Sequence, residues 1–219
     1  MLNPDSLLIV TILILALASL SWADVYSGSI SGPSSGLLGS LGWSDATFDW
    51  KYTTPAQSAS GFWEYEYTFT VDEKGISHII IQVSDKFDPR INLKTGTTVG
   101  WDFDTYSSTS QGNGNPFMPA EIKGLKWGAE DFVFTGDLLE VTVKIVTDKA
   151  PMDGNFYAVD GKKPGEEVYA YSGTQGQFGF NIPVPDTNGG EVPEPISLIL
   201  LGSGLAGAGL YRRFRKPRG

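Results

Sequence analysis

Residues 62–71, Phe-Trp-Glu-Tyr-Glu-Tyr-Thr-Phe-Thr-Val, indicate the fold of this chain more clearly than any other stretch. From Trp63 to Val71 an aromatic or aliphatic side chain occupies every second position, and glutamate or threonine occupies the positions between. This period of two predicts a β-strand with one face in the core and the other in water. A turn-forming Asp-Glu-Lys-Gly follows at 72–75, and residues 76–84 alternate again through Ile79 and Ile81, so the two segments predict a β-hairpin.

Similar short segments recur along the chain. Residues 131–135 and 139–145 predict a second hairpin, and a loop rich in Ser, Gly and Asn occupies 107–119. No helical period persists between residues 24 and 185. We therefore predict an all-β fold, an antiparallel β-sandwich of the jelly-roll kind, as one domain over residues 24–185. Shorter strands are expected near 25–30, 46–52, 97–103, 155–159, 167–171 and 178–182.

The composition narrows the possible chemistry. The 219 residues include no cysteine and one histidine, His78, so neither a disulfide framework nor a site of cysteine thiolates or several histidines can form. Residues 24–195 carry 24 acidic and 11 basic side chains, a formal charge of −13. Such a surface repels nucleic acid. We predict no cofactor, no metal and no nucleic-acid partner.

The first residues have the form of an export signal. An uncharged run over 7–20 precedes Ser21-Trp22-Ala23, whose small residues suit signal peptidase. We predict a signal peptide over residues 1–23, recognised by the secretion machinery and cleaved between Ala23 and Asp24. No lysine or arginine precedes the run, so an uncleaved anchor or a buried helix is the alternative.

The last residues have a different organisation. A linker at 186–191 leads to Val192, Pro193, Glu194 and Pro195, and the prolines keep this stretch extended. The uncharged segment 196–211 predicts a transmembrane helix of about 24 Å, which is marginal against a hydrocarbon core of about 30 Å. The positive charges that follow predict a cytoplasmic end and an outward-facing body, with transient membrane contact. These basic residues are Arg212, Arg213, Arg215, Lys216 and Arg218.

Residues 192–219 contain, in this order, a Val-Pro-Glu-Pro motif, an uncharged apolar segment and a basic end. These three features resemble the PEP-CTERM sorting signal. The resemblance implies a bacterial protein recognised by an exosortase, a membrane-embedded transpeptidase or protease that cleaves near Pro193-Glu194-Pro195. It also implies a place at the cell surface or in the extracellular matrix, associated with exopolysaccharide and biofilm. A helix-dimerisation role for the small residues of 202–209 is the alternative. Residues 64–69, 77–81 and 154–162 resemble sandwich proteins that carry this signal, which implies shared fold and export.

The body offers few candidates for chemistry. We expect a structural or surface role for His78. The pairs Asp102/Asp104 and Asp85/Asp88 suit solvated turns better than a Ca²⁺ site or a hydrolase pair. Trp101 and Trp127 are the candidate ligand aromatics, because loop aromatics on a rigid scaffold can stack on sugars. The leading hypothesis is a non-enzymatic matrix or adhesion protein; the alternatives are a carbohydrate-binding module and, third, a carboxylate-dependent hydrolase.

Overall fold

The structure is a computed structural model that describes residues 25–40, 42–108, 114–128, 138–160, 167–179 and 181–186. The predicted signal peptide, the sorting segment with its transmembrane helix and the predicted strand at 131–135 lie outside these residues. Within the described ranges, no helix is both long and apolar enough to cross a membrane.

Nearly all regular structure in the described residues is β. The one α-helix there, α1, is a single turn at Pro89–Asn92, and a 3-10 turn covers Pro33–Ser35. The strands are β1 Val25–Ser31, β2 Leu37–Gly39, β3 Thr47–Thr53, β4 Trp63–Thr70, β5 His78–Gln82, β6 Trp101–Tyr106, β7 Ile122–Trp127, β8 Glu140–Thr147, β9 Pro151–Gly154, β10 Phe156–Asp160, β11 Val168–Thr174, β12 Gln177–Phe178 and β13 Ile182–Pro185.

The described strands form two main sheets and a ribbon, and every pairing among them is antiparallel. The small sheet has the order β1-β3-β4-β8. The large sheet has the order β12-β11-β10-β5-β7-β6, with β2 also paired to β11. Strands β9 and β13 make the ribbon. The prediction of an all-β, antiparallel body is confirmed, while its jelly-roll connectivity stays a prediction. The predicted hairpin of residues 62–71 with 76–84 is wrong, because β4 pairs with β3 and β8 in the small sheet, whereas β5 pairs with β10 and β7 in the large sheet.

The aromatic stripe of β4 lies in the core between the two sheets. Trp63 is 9% exposed, and Tyr65, Tyr67 and Phe69 are fully buried, as the alternation predicts. Across the sandwich, Phe48 of β3 stacks on Phe156 of β10 with ring centroids 3.9 Å apart. Each such side chain contributes about 1.5–3 kcal/mol through burial, so this interface holds the sheets together.

Buried tyrosine hydroxyl groups attach loops and the ribbon to this core. The hydroxyl of Tyr65 donates to the carbonyl of Lys149 at 2.8 Å, and that of Tyr67 donates to the carbonyl of Pro183 at 2.8 Å. Pro183 lies in β13, the last described strand. The C-terminal end of the body is therefore fixed to the small sheet.

A second, smaller core covers the outer face of the large sheet. Ile80, Tyr157 and Tyr171 are buried there, together with Met118 of the loop between β6 and β7. Two hydrogen bonds hold this loop in place. His78 Nε2 donates to Asn115 Oδ1 at 3.0 Å, and the Tyr157 hydroxyl donates to the carbonyl of Pro116 at 2.7 Å.

Candidate functional site

The two predicted ligand tryptophans are direct cross-strand partners with different exposure. Trp127 on β7 is fully buried, and its indole N–H donates to the carbonyl of Thr98 at 3.1 Å. A ring in this position has no face open to a ligand, so the structure corrects the assignment of Trp127. Trp101 lies opposite Trp127 on the edge strand β6, is only partly buried, and lines a cleft.

This cleft lies between β6 and the segment that leads into α1. Its volume is about 650 Å³, within the range of about 300–1,000 Å³ common for small-ligand sites. Trp101 and Phe103 contribute aromatic surface from β6, and Lys123 contributes an ammonium group from β7. The remaining lining residues are Asp85, Lys86, Phe87, Asp88, Pro89, Arg90 and Asp102.

Local sequence explains why the wall formed by residues 85–90 is fixed. Asp88 caps α1 because its Oδ1 accepts the backbone N–H of Arg90 at 3.0 Å, and Pro89 stands at the first helical position. The backbone N–H of Asp88 donates in turn to Asn92 Oδ1 at 2.9 Å. Phe87 is buried and packs against Phe103 of β6, with centroids 6.4 Å apart. The wall is thus attached to the sheet that it faces.

The charges around the cleft are balanced, although the body as a whole is strongly acidic. Three acidic residues, Asp85, Asp88 and Asp102, stand with the basic residues Lys86, Arg90 and Lys123. Lys123 Nζ donates to the carbonyl of Asp85 at 2.5 Å and lies 5.3 Å above the centre of the Phe103 ring. Its cation–π contact helps to hold the aromatic floor in place. Such a mixture of ring faces and polar groups of both signs suits a neutral, hydroxyl-rich ligand better than a strongly charged one.

Three of the four carboxylates in the predicted pairs, those of Asp88, Asp102 and Asp104, accept a backbone N–H close by in the chain. Asp102 Oδ1 accepts the backbone N–H of Phe103 at 2.9 Å, and Asp104 Oδ1 accepts that of Thr105 at 2.7 Å. Asp85 and Asp88 flank the turn before α1, as the sequence indicates. In the part of the chain that the structure describes, no group of three or more His, Asp or Glu side chains could hold a metal ion.

His78 lies outside the cleft and has a structural position. Its ring is 4% exposed on β5. Burial, aided by repulsion from Lys126, lowers the pKa of His78 to about 3, and the hydrogen bond to Asn115 opposes this shift only in part. The ring is therefore neutral and holds the loop at 115–118 against the large sheet.

A second groove was not foreseen from the sequence. It has a volume of about 350 Å³ beside β3 and the ribbon, and Trp50 and Tyr52 line it together with Met152 and Asn181. Tyr26 stacks on Tyr52 with centroids 4.8 Å apart. The alternation of Phe48, Trp50 and Tyr52 is the only sequence signal for these rings, and it predicts a core face rather than a groove.

Comparison with known proteins identifies the segment beyond the body. A family model of the PEP-CTERM protein-sorting motif matches residues 191–216. The match includes Val192, Pro193, Glu194 and Pro195, the uncharged segment 196–211, and the basic residues up to Lys216. The resemblance of residues 192–219 to this signal is confirmed, while that of residues 64–69, 77–81 and 154–162 to other sandwich proteins stays a prediction. Neither the curated proteins nor the solved structures include a match to this chain.

Proposed function

The chain carries a PEP-CTERM protein-sorting motif, which indicates an extracellular protein sorted by an exosortase. We propose the following steps of export and processing, and a role for the product. A signal peptide over residues 1–23 directs export, and an exosortase cleaves near Pro193-Glu194-Pro195. The released body functions without catalysis at the cell surface, as a component of an exopolysaccharide or biofilm matrix. The match at residues 191–216 is the observation that carries this proposal.

The way in which the body ends supports cleavage at this position. The backbone N–H of Asp186 donates to the carbonyl of Ala150 at 2.9 Å, and the N–H of Ser84 donates to the carbonyl of Pro185 at 3.3 Å. The last strand is therefore fixed before the linker begins. Residues 187–192 could span roughly 20 Å when extended, so an enzyme in the membrane can reach Pro193 without opening the sandwich. Cleavage there leaves every described strand in the product.

The charge distribution supports a transient membrane stage. Five basic side chains follow segment 196–211, and by the positive-inside rule they stay on the cytoplasmic side. The acidic body is then outside, where the formal charge of −13 over residues 24–195 keeps it from anionic lipid. A helix of marginal length suits a temporary anchor.

The mass of the mature protein tests the proposal. In a bacterial host that contains an exosortase, we expect a product that begins at Asp24 and lacks residues 212–218. Pro193→Ala combined with Glu194→Ala should produce a species that keeps its tail in the membrane, because the enzyme no longer recognises it. Thr187→Ala in the linker is the matched control and should be processed normally. A mature wild-type chain that retains Arg212 to Arg218 would show a simple membrane anchor instead.

The cleft favours a second candidate function, carbohydrate binding by the body. The half-buried Trp101 and Phe103 offer ring faces for the C–H face of a sugar, and the polar rim offers partners for its hydroxyl groups. The cleft is the observation that supports this candidate.

Glycan-array binding of the full-length chain tests this candidate. Trp101→Ala should weaken binding about tenfold or more, equivalent to about 1.4 kcal/mol. Phe117→Ala is the control, because Phe117 is 63% exposed and does not line the cleft. The same incubations should release no reducing sugar. Equal binding by the Trp101→Ala variant and the wild type would exclude the cleft as the sugar site.

A further inference from the structure

The exposed edges of the two sheets differ in how they are protected against pairing with another chain. At the β8 edge of the small sheet, the N–H groups of Lys94 and Thr98 donate to the carbonyls of Val146 and Lys144, each at 2.8 Å. Residues 93–98 therefore cover this edge. At the β6 edge of the large sheet, Asp102 and Asp104 place charges on the strand. Both devices, a covering segment and charged side chains, discourage the addition of a further strand.

Strand β1, the other edge of the small sheet, has no charged side chain, and its last residue is the one that another segment covers: Ser35 Oγ accepts the backbone N–H of Ser31 and donates to its carbonyl. The seven residues of β1, Val-Tyr-Ser-Gly-Ser-Ile-Ser, include no charge and no proline. It pairs with β3 residue by residue from Val25↔Thr53 to Ser31↔Thr47, without a bulge. Within the described ranges no strand pairs with its opposite side. Such a regular, uncharged edge is a template for an additional strand.

The side chains of β1 point to a second copy of this chain as the added strand. Because residues 24–195 carry a formal charge of −13, two copies repel each other over most of their surfaces, and an uncharged strand allows their closest approach. Val25 is 44% exposed and Tyr26 is 48% exposed, so both present apolar surface at this edge. Gly28 at the centre has no side chain, and Trp50 of β3 lies over it. The Trp50 ring therefore covers one face at the centre of β1, and no side chain of residue 28 projects from the strand.

We propose that β1 pairs antiparallel with β1 of a second copy, centred on Gly28, and joins two small sheets into one eight-stranded sheet. In this register, Ser27 lies opposite Ser29 of the second copy, and Tyr26 lies opposite Ile30 of the second copy. The arrangement has two-fold symmetry, as expected for a homodimer, and pairs residues 26–30, because Ser35 already binds the backbone groups of Ser31. Because one strand pair is a small interface, the association is weak and is favoured where export concentrates the protein on a surface.

Disulfide trapping tests this register, because the chain has no cysteine of its own. Ser27→Cys and Ser29→Cys variants of the full-length chain are purified in an excess of detergent, mixed in equal amounts and oxidised. Directly opposite residues have Cβ atoms about 4.5–5.5 Å apart, close to disulfide geometry, whereas diagonal neighbours are about 7–8 Å apart. The mixture should therefore yield at least about fivefold more covalent dimer than either variant alone. Both serines are exposed, so the variants should melt at the wild-type temperature.

A mixture of Ser27→Cys with Thr105→Cys is the matched control. Thr105 is an exposed hydroxyl residue on β6, the edge with charged side chains, and this mixture should show only background cross-linking. Dimer formation in the Ser27/Ser29 mixture that does not exceed this background would overturn the proposal. Equal cross-linking by either variant alone would also overturn it, because that result indicates another register or random collision. The readout is independent of export and of processing by an exosortase.

Discussion

At the scale of single residues, His78 shows how burial determines the role of an ionisable group. Its ring lies between the large sheet and the loop at 114–118, donates to Asn115 and faces the cationic Lys126. Asn115 is itself fixed, because its amide donates to the carbonyl of Ser107 at 3.1 Å. A positive charge on His78 would be poorly solvated there, so the folded protein keeps the ring neutral.

This position makes the stability of the fold dependent on pH. In the unfolded chain His78 binds a proton near pH 6.5, whereas in the folded protein its pKa is about 3. Between these values the unfolded state binds more protons, so the free energy of unfolding falls as the pH falls. We expect a loss of about 1 kcal/mol between about pH 7 and about pH 5.5, measured by urea denaturation.

His78→Gln is the control for this prediction, because its amide can still donate to Asn115 and does not titrate. The variant should show a flatter stability profile over the same interval. Glu64 does not interfere, since its hydrogen bond to Lys144 lowers its pKa from 4.5 to about 2, and its protonation lies below this interval. An equal loss of stability in the variant and the wild type would contradict the assignment.

At the scale of elements, the pairing of β1 with β3 depends on a close approach at Gly28. A Cβ atom at this position would lie 2.3 Å from Cζ2 of Trp50, far inside van der Waals contact. Trp50 can therefore lie flat against β1 only because residue 28 is glycine. The same contact positions the aromatic rings that line the second groove.

Gly28→Ala should destabilise the fold by about 1–3 kcal/mol, because the added methyl group must displace the Trp50 ring. Thermal or urea unfolding measures this change. Gly114→Ala is the matched control: a Cβ there meets no heavy atom within 4 Å, and we expect a change within about 0.5 kcal/mol. A Gly28→Ala variant as stable as the Gly114→Ala variant would show that Trp50 is not held against β1.

At the scale of the whole molecule, the body and the sorting segment differ in charge and in composition. The body is acidic and its last described strand is fixed by Tyr67 and by the backbone of Asp186. The sorting motif at 191–216 combines prolines, an uncharged segment and a basic end. The body supplies whatever the protein does outside, and the tail supplies recognition by the membrane enzyme. This separation explains why changes in the tail should alter processing without altering the stability of the sandwich.

The sequence alone predicted the strands with a strict period of two and the sorting motif. The β4 stripe is buried and β8 alternates as expected, because side-chain direction in a strand follows directly from position in the chain. The motif could be recognised because its prolines, apolar segment and basic residues act in linear order. The strand predicted at 97–103 instead lies at Trp101–Tyr106, since residues 93–98 pair along the β8 edge.

The tertiary structure alone decided which aromatic residues are available to a ligand. Trp101 and Trp127 look equivalent in the sequence, yet one lines a cleft and the other is buried, because β6 is an edge strand of the large sheet whereas β7 lies between β5 and β6. The unprotected edge of β1 and the groove beside Trp50 likewise depend on which strands become neighbours. Strand order arises from contacts between residues far apart in the chain, and a local pattern carries no information about such contacts. The sequence by itself therefore determined the class of fold and the sorting motif, while the packing of distant strands determined the candidate binding surfaces.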